Sequence, residues 1–181
     1  MIRQENTQLR NKIIEVFFQY LASSNEKVVE IAKNGLATFI ANQRLPKDLL
    51  QVSLRPILSN LGSYQKLTLP VLQTLAHLLE LCTSYFSVKL GEQLLQHLRN
   101  WTVPSKITHL QSPLQPIVAA HILKLFSLLP PDAKKFLDAL VNLTIELERA
   151  WEPFLSEFSS PFRKPLADFL NLYPAETIQF F

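Results

Sequence analysis

Apolar residues recur at three- and four-residue steps along almost the whole chain of 181 residues, most clearly between Val28 and Ile40. That spacing collects them on one face of an α-helix, so it predicts helix and not strand. The chain also contains only three glycines, whereas β-rich folds use glycine for tight turns and bulges. We therefore predict an all-α fold.

The predicted helices fall into pairs. The first two are separated only by Ser23–Asn25, and so short a linker forces them to lie antiparallel. Pairs begin near residues 7, 46, 87 and 132, which gives a period of about forty residues, the length of a HEAT or armadillo unit. The predicted architecture is an α-solenoid of about four HEAT-like antiparallel helical hairpins, at residues 7–42, 46–84, 87–129 and 132–172.

Polar residues and prolines mark where individual helices should begin. Ser23 and Glu26 match the capping-box pattern, which predicts a helix over residues 24–42. Ser87 and Asp132 are placed to cap the fifth and seventh helices. Proline suits the first turn of a helix, where its missing N–H removes no hydrogen bond; the prolines in such positions are Pro46, Pro70, Pro161 and Pro174.

The fourth helix should be buried on two sides, because a helix between stacked hairpins needs more than one apolar stripe. Pro56 lies about ten residues into the third helix, where proline kinks a helix and where HEAT repeats often carry one. An orthogonal single-domain bundle is the alternative architecture. One predicted stripe consists of Leu72, Leu75, Ala76 and Leu79, and the other of Val71, Leu78 and Leu81.

We expect residues 1–181 to form a single helical-repeat segment that belongs to a longer array. The chain finishes on the apolar run Thr177–Phe181, whereas a solenoid needs polar end-caps to stay soluble. Phe180 and Phe181 could instead fold back onto the eighth helix.

Motifs for catalysis and for cofactor or metal binding are missing from the sequence. The glycines are isolated from one another, so they form no phosphate-binding loop. The single cysteine, Cys82, excludes an internal disulfide and a multi-cysteine metal site, and we expect it to be a small buried side chain. The histidines, which we expect to be solvated or hydrogen-bonded and not metal ligands, are His77, His97, His109 and His121.

The charge pattern and the apolar runs predict no nucleic-acid or membrane partner. The longest apolar stretches are each interrupted by a histidine and a charge, which argues against a bilayer span. Two LxxLL motifs, Leu75–Leu79 and Leu125–Leu129, are expected in the core. Basic residues are interspersed with acidic ones and predict a solvated face; they are Arg3, Arg10, Lys12, Lys27, Lys33, Lys134, Lys135, Arg163 and Lys164.

Three segments resemble the TRRAP family, the giant pseudokinase-bearing transcription coactivators. The first runs from Leu54 to Leu61 and reads LRPILSNL; the others cover residues 78–101 and 162–181. The similarity extends in the same order from about Leu9 to the end of the chain. These segments are packing motifs and not catalytic signatures.

The resemblance implies a HEAT-repeat scaffold that holds histone acetyltransferase complexes together and receives transcriptional activators in the nucleus. It implies protein partners, no cofactor and no small-molecule substrate. The kinase-like domain of the family is catalytically inactive and has no counterpart in these residues, so we predict that the segment is not an enzyme. No functional residue carries over, and the partner-binding surface is unknown. The alternatives are a nuclear transport receptor fragment and a nucleic-acid-binding helical-repeat protein.

Overall fold

The computed structural model describes residues 2–43, 45, 47–60, 66–102, 115–152 and 160–180. All regular secondary structure in these ranges is helical, as predicted. Short 3-10 helices cover Thr83–Tyr85 and Pro131–Phe136. The α-helices are α1 (Ile2–Tyr20), α2 (Glu26–Asn42), α3 (Lys47–Asn60), α4 (Leu69–Cys82), α5 (Lys89–Asn100), α6 (Gln115–Phe126), α7 (Leu137–Trp151), α8 (Arg163–Leu170) and α9 (Pro174–Phe180).

The helices stack in two layers. Among the odd-numbered helices α1 packs on α3 and α5 on α7, while among the even-numbered ones α2 packs on α4, α4 on α6 and α6 on α8. Helices of the same hairpin also contact each other: α1 contacts α2, α5 contacts α6 and α7 contacts α8. Within the described helices, extensive contacts therefore join only the same or consecutive hairpins. This is the predicted α-solenoid of about four HEAT-like hairpins, and the alternative of an orthogonal bundle is wrong.

Helix α4 joins two hydrophobic clusters. Its Leu72, Leu75 and Leu79 belong to the larger cluster, which continues through α5 to α8. Its Leu78 and Cys82 face the opposite way, into a cluster formed with α1, α2 and α3. The predicted two-sided burial is confirmed, except that Val71 packs against the larger cluster and not beside Leu78.

Both LxxLL motifs lie in the core, as predicted. Leu75 and Leu79 are 0% exposed, and Leu125 and Leu129 are also buried. Leu128 is half-buried and packs against the larger cluster. These leucines therefore hold the hairpins together and present no leucine face to a partner.

The predicted capping box is wrong. Helix α2 begins at Glu26, and its N-cap is Asn25, whose side-chain oxygen accepts a hydrogen bond from the Lys27 N–H at 3.0 Å. Ser23 Oγ instead accepts from the Asn25 N–H at 3.2 Å, in the linker. Asparagine caps helices as well as serine does, so the residue directly before the first helical turn takes the role.

Two other predicted caps are also wrong. Helix α5 follows Val88 and has no side-chain cap, while Ser87 offers its backbone oxygen to the Leu90 N–H. Asp132 lies inside the 3-10 helix Pro131–Phe136, so α7 begins only at Leu137. Tight turns at these junctions satisfy the first N–H groups with backbone oxygens, and a side-chain cap is not needed.

Two of the four prolines begin their helices as predicted. Pro70 lies in the first turn of α4, and Pro174 is the first residue of α9. Pro161 comes two residues before α8, which begins at Arg163, and Pro46 lies outside the described residues. Helix α3 is continuous across position 56.

We predict that Gly91→Ala destabilises the fold although alanine favours a helix. An added Cβ would fall within 3.0 Å of the Phe136 ring and of Leu129 Cδ1, and Phe136 is held edge-on against Phe126 at 5.6 Å between ring centroids. Overpacking of about 1–3 kcal/mol should exceed the gain in helix propensity of about 1 kcal/mol. Chemical denaturation measures the change in unfolding free energy. The exposed change Gln96→Ala on the same helix is the control, and a more stable Gly91→Ala protein would contradict the packing.

Candidate interaction surfaces

A groove of about 760 Å³ runs across the even-numbered layer, and we call it the even-helix groove. It lies between α2, α4 and α6, and both apolar and charged or polar side chains line it. At its centre Lys33 of α2 donates to Glu80 of α4, with 2.5 Å between Nζ and Oε2. His77, one turn earlier on α4, places Nδ1 3.8 Å from the same oxygen. Lys124 and His121 line the groove from α6.

The charges in this groove shift the pKa values of two groups. Burial lowers the pKa of His77, and the positive charge of Lys33 lowers it further, against the opposing effect of Glu80. Burial works to raise the pKa of Glu80, but the hydrogen bond and charge of Lys33 outweigh it and hold that pKa below its ordinary value. At neutral pH the groove therefore holds a lysine–glutamate ion pair beside an uncharged imidazole.

The predicted histidines do not come together as one site: His121 shares the even-helix groove with His77, whereas His97 lies elsewhere, on α5. His97 is buried on α5, His121 Nδ1 lies 2.8 Å from the backbone oxygen of Ile117, and His109 lies outside the described residues. Within the described ranges, no three His, Cys, Asp or Glu side chains are grouped so that they could hold a metal ion.

Cys82 is a buried side chain, as predicted. It is 2% exposed and packs in the cluster formed by α1 to α4. Burial raises the pKa of its thiol to about 11. The thiolate is the nucleophilic form, so this cysteine is a poor nucleophile at neutral pH.

The basic pairs of the C-terminal half are neutralised by carboxylates. Three of these contacts join different helical elements and the fourth, Lys164 with Asp168, lies within α8; the pairing agrees with the predicted solvated face. The pairs and their N···O distances are Lys134 with Glu176 at 3.1 Å, Lys135 with Glu92 at 2.7 Å, Arg163 with Glu148 at 2.8 Å and Lys164 with Asp168 at 2.9 Å. In the part of the chain that the structure describes, no helix combines the length and the apolar character that a bilayer crossing requires.

A second groove, of about 850 Å³, opens in the odd-numbered layer between α3 and α5, and we call it the odd-helix groove. Tyr85 and Phe86, at the end of the short 3-10 helix, are half-buried at its edge. Each of them also packs against the hydrophobic core with part of its ring. Sequence reasoning missed the groove itself, because it depends on how far apart two stacked helices lie.

Residues 1–181 match the family described as the Tra1 HEAT repeat ring region. The chain belongs to this family. It is 40% identical, over 98% of its length, to the probable transcription-associated protein 1 of Dictyostelium discoideum. It is 37% identical to the SAGA complex/NuA4 acetyltransferase complex subunit TRA1 of Saccharomyces cerevisiae and 31% identical to the human transformation/transcription domain-associated protein, over 96% of its length in each case.

The resemblance to the TRRAP family is confirmed over nearly the whole chain. This Tra1 ring segment spans only 4% of the Dictyostelium relative and 5% of the yeast and human ones. Its helical stack is therefore compared with a small part of each relative.

We predict that His77 makes the Tra1 ring segment less stable in mild acid. Because the folded pKa of His77 lies below the ordinary value of 6.5, the unfolded chain binds the proton more readily, and stability falls as pH drops from about 7 to 5. The change His77→Gln should reduce this fall in melting temperature, followed by circular dichroism. Gln73→Ala, an exposed change on the same helix, should leave the pH profile unaltered. An identical profile for His77→Gln and the unaltered chain would refute the assignment.

Proposed function

We propose that this Tra1 ring segment is a non-catalytic scaffold within a transcription coactivator subunit of histone acetyltransferase complexes, acting in the nucleus. The observation that carries the proposal is its 36–37% identity to two yeast proteins named as subunits of the SAGA and NuA4 acetyltransferase complexes. On this proposal its partners are other subunits of those complexes and transcriptional activators.

The packing supports a scaffold role. A scaffold must keep its shape while partners bind along it, and a solenoid does so through the interfaces between neighbouring repeats. Here the two clusters meet at α4. Ion pairs also cross between stacked elements, as in Lys33 with Glu80 and Lys135 with Glu92. These exposed pairs add little energy each, so the apolar interfaces set the stability of the stack.

We also propose that further repeats of a longer array cover one face of α1. Along that face Leu9, Ile13, Val16 and Tyr20 form an apolar stripe in which each side chain is 43–60% exposed. They follow one another at four- and three-residue steps, so they form one continuous row on the helix. The buried residues of α1, such as Ile14 and Phe18, point to the other side, toward the cluster with α2 and α3.

The stripe can be tested in the full protein that contains this segment. If the stripe is covered, the double change Ile13→Glu and Val16→Glu would bury two new charges, which is costly. The covering contact should then be lost, and that protein should become more sensitive to proteolysis near α1. The control Gln8→Glu and Gln19→Glu adds the same charge at exposed positions of the same helix and should leave the digestion pattern unchanged. If both variants are equally protected from proteolysis, the proposal that a further repeat covers this face of α1 is wrong.

The scaffold role predicts that loosening the core weakens the assembly. Phe126 is 0% exposed and packs edge-on against Phe136 and Phe169, so Phe126→Ala should cost about 3–5 kcal/mol. In tagged full-length protein purified from its own cells, this change should reduce the histone acetyltransferase activity recovered per molecule of tagged protein.

Gln96→Ala is the surface control for that purification and should recover normal activity. If the recovered histone acetyltransferase activity is undiminished in the Phe126→Ala protein, the proposed structural role of this segment is wrong. Recovery of transport factors and no acetyltransferase activity with the unaltered protein would overturn the proposed complex.

A further inference from the structure

The odd-helix groove has an apolar floor. Leu50 and Leu54 of α3 and Leu90 of α5 form it and are buried. Tyr85 and Phe86 bound it on the side of the 3-10 helix. Aromatic side chains that are partly covered by the core and open to a groove provide large contact area at little cost in conformational entropy.

The groove forms because the odd-numbered layer is not closely packed at this point. Helices α1 and α3 pack together, as do α5 and α7, but α3 and α5 are not among the extensively contacting pairs of the described residues. The even-numbered layer is continuous across the same junction, through α2, α4 and α6. The solenoid is therefore closed on one side and leaves an opening of about 850 Å³ on the other.

The rim of the groove is positively charged. Lys47, Arg55 and Lys89 line it, and none of the described lining residues is a carboxylate. None of the three forms an ion pair within the described residues, in contrast to Lys33, Lys134, Lys135, Arg163 and Lys164.

The carboxylate on the same helix as Lys89 is already engaged. Glu92 lies three residues further along α5 and hydrogen-bonds Lys135 at 2.7 Å, with only a weaker contribution from Lys89 to its lowered pKa. Glu92 therefore does not neutralise Lys89 by an ion pair.

We propose that the odd-helix groove binds an acidic amphipathic helix of a partner protein. This rests on the proposed function, because it gives the scaffold one partner surface and the chemistry of its ligand. The apolar face of such a helix would lie on the leucines and aromatic rings, and its carboxylates would meet the three cations. From Lys47 to Ser59 the groove follows α3 for about 18 Å, which matches about three turns of a partner helix.

The same rim charge could attract nucleic acid, but the floor favours a protein. Nucleic-acid grooves track a row of phosphates with many cations and place aromatic rings for base stacking. Here three cations surround a floor of buried leucines. An amphipathic helix uses both features, whereas a phosphate backbone uses only the rim.

The test measures binding of a fluorescent helical peptide of roughly 18 residues, long enough to hold a helix, with leucine and phenylalanine on one face and glutamate on the other. A second peptide keeps the apolar face and replaces every glutamate with glutamine. We expect the 181-residue chain to bind the acidic peptide at least about tenfold more tightly than the neutral one at low salt, and to lose that advantage as salt rises.

Charge reversal locates the site. The triple variant Lys47→Glu, Arg55→Glu and Lys89→Glu should weaken binding of the acidic peptide at least about tenfold, and Tyr85→Ala should weaken binding of both peptides. The control is Lys12→Glu, Lys27→Glu and Arg99→Glu, which makes the same change of net charge at exposed positions outside the groove. Circular dichroism of each variant verifies that the helical content is retained.

The possible outcomes separate this inference from the proposed function. The proposed binding to the odd-helix groove is wrong if both triple variants lose binding equally, or if the chain does not bind the acidic peptide. This holds even if acetyltransferase activity still co-purifies with the full protein. If a DNA duplex displaces the acidic peptide from the unaltered chain, and the groove variant does not bind the duplex, the ligand of the groove is nucleic acid and not a protein helix. Binding confined to the groove supports the proposal whichever complex the full protein joins.

Discussion

The two-sided burial of α4 is the constraint on which the rest of the stack depends. Leu75 and Leu79 face one cluster while Leu78 and Cys82 face the other. The packing of this single helix therefore sets how the first two hairpins lie relative to the last two. Full burial of one leucine contributes about 1.5–3 kcal/mol, which exceeds what an exposed ion pair such as Lys33 with Glu80 can add. The stacking is therefore decided by apolar contacts, and the charges adjust to it.

The two layers of the solenoid carry different surfaces because they pack differently. The even-numbered helices form a continuous row, and their groove contains mutually paired polar groups around Glu80. The odd-numbered row is open between α3 and α5, and the cations at that opening form no ion pairs among the described residues. Lys33 and Glu80 already satisfy each other in the even-helix groove, whereas an apolar floor with a charged rim gains both burial and charge pairing from a partner.

Local sequence signals predicted where the helices lie more accurately than they predicted the residue at which each helix begins. The spacing around Val28 and Ile40 placed α2 correctly, but Ser23 was the wrong cap, because Asn25 competes for the same role with equal chemistry. Asp132 failed for a related reason. It lies inside the 3-10 helix that begins at Pro131, so the α-helix starts only at Leu137. End positions depend on small energy differences between neighbouring residues, and the apolar period does not contain that information.

The sequence by itself determined the class of the fold and the core positions of Leu75, Leu125 and Cys82. These follow from apolar periodicity, which acts over a few residues. Only the tertiary structure decided that Val71 joins the larger cluster, that His77 shares a groove with Lys33, and that α3 and α5 leave an opening lined by Lys47 and Lys89. Such features depend on the distance and rotation between stacked helices, which the combined shapes of many side chains set and which no single segment encodes.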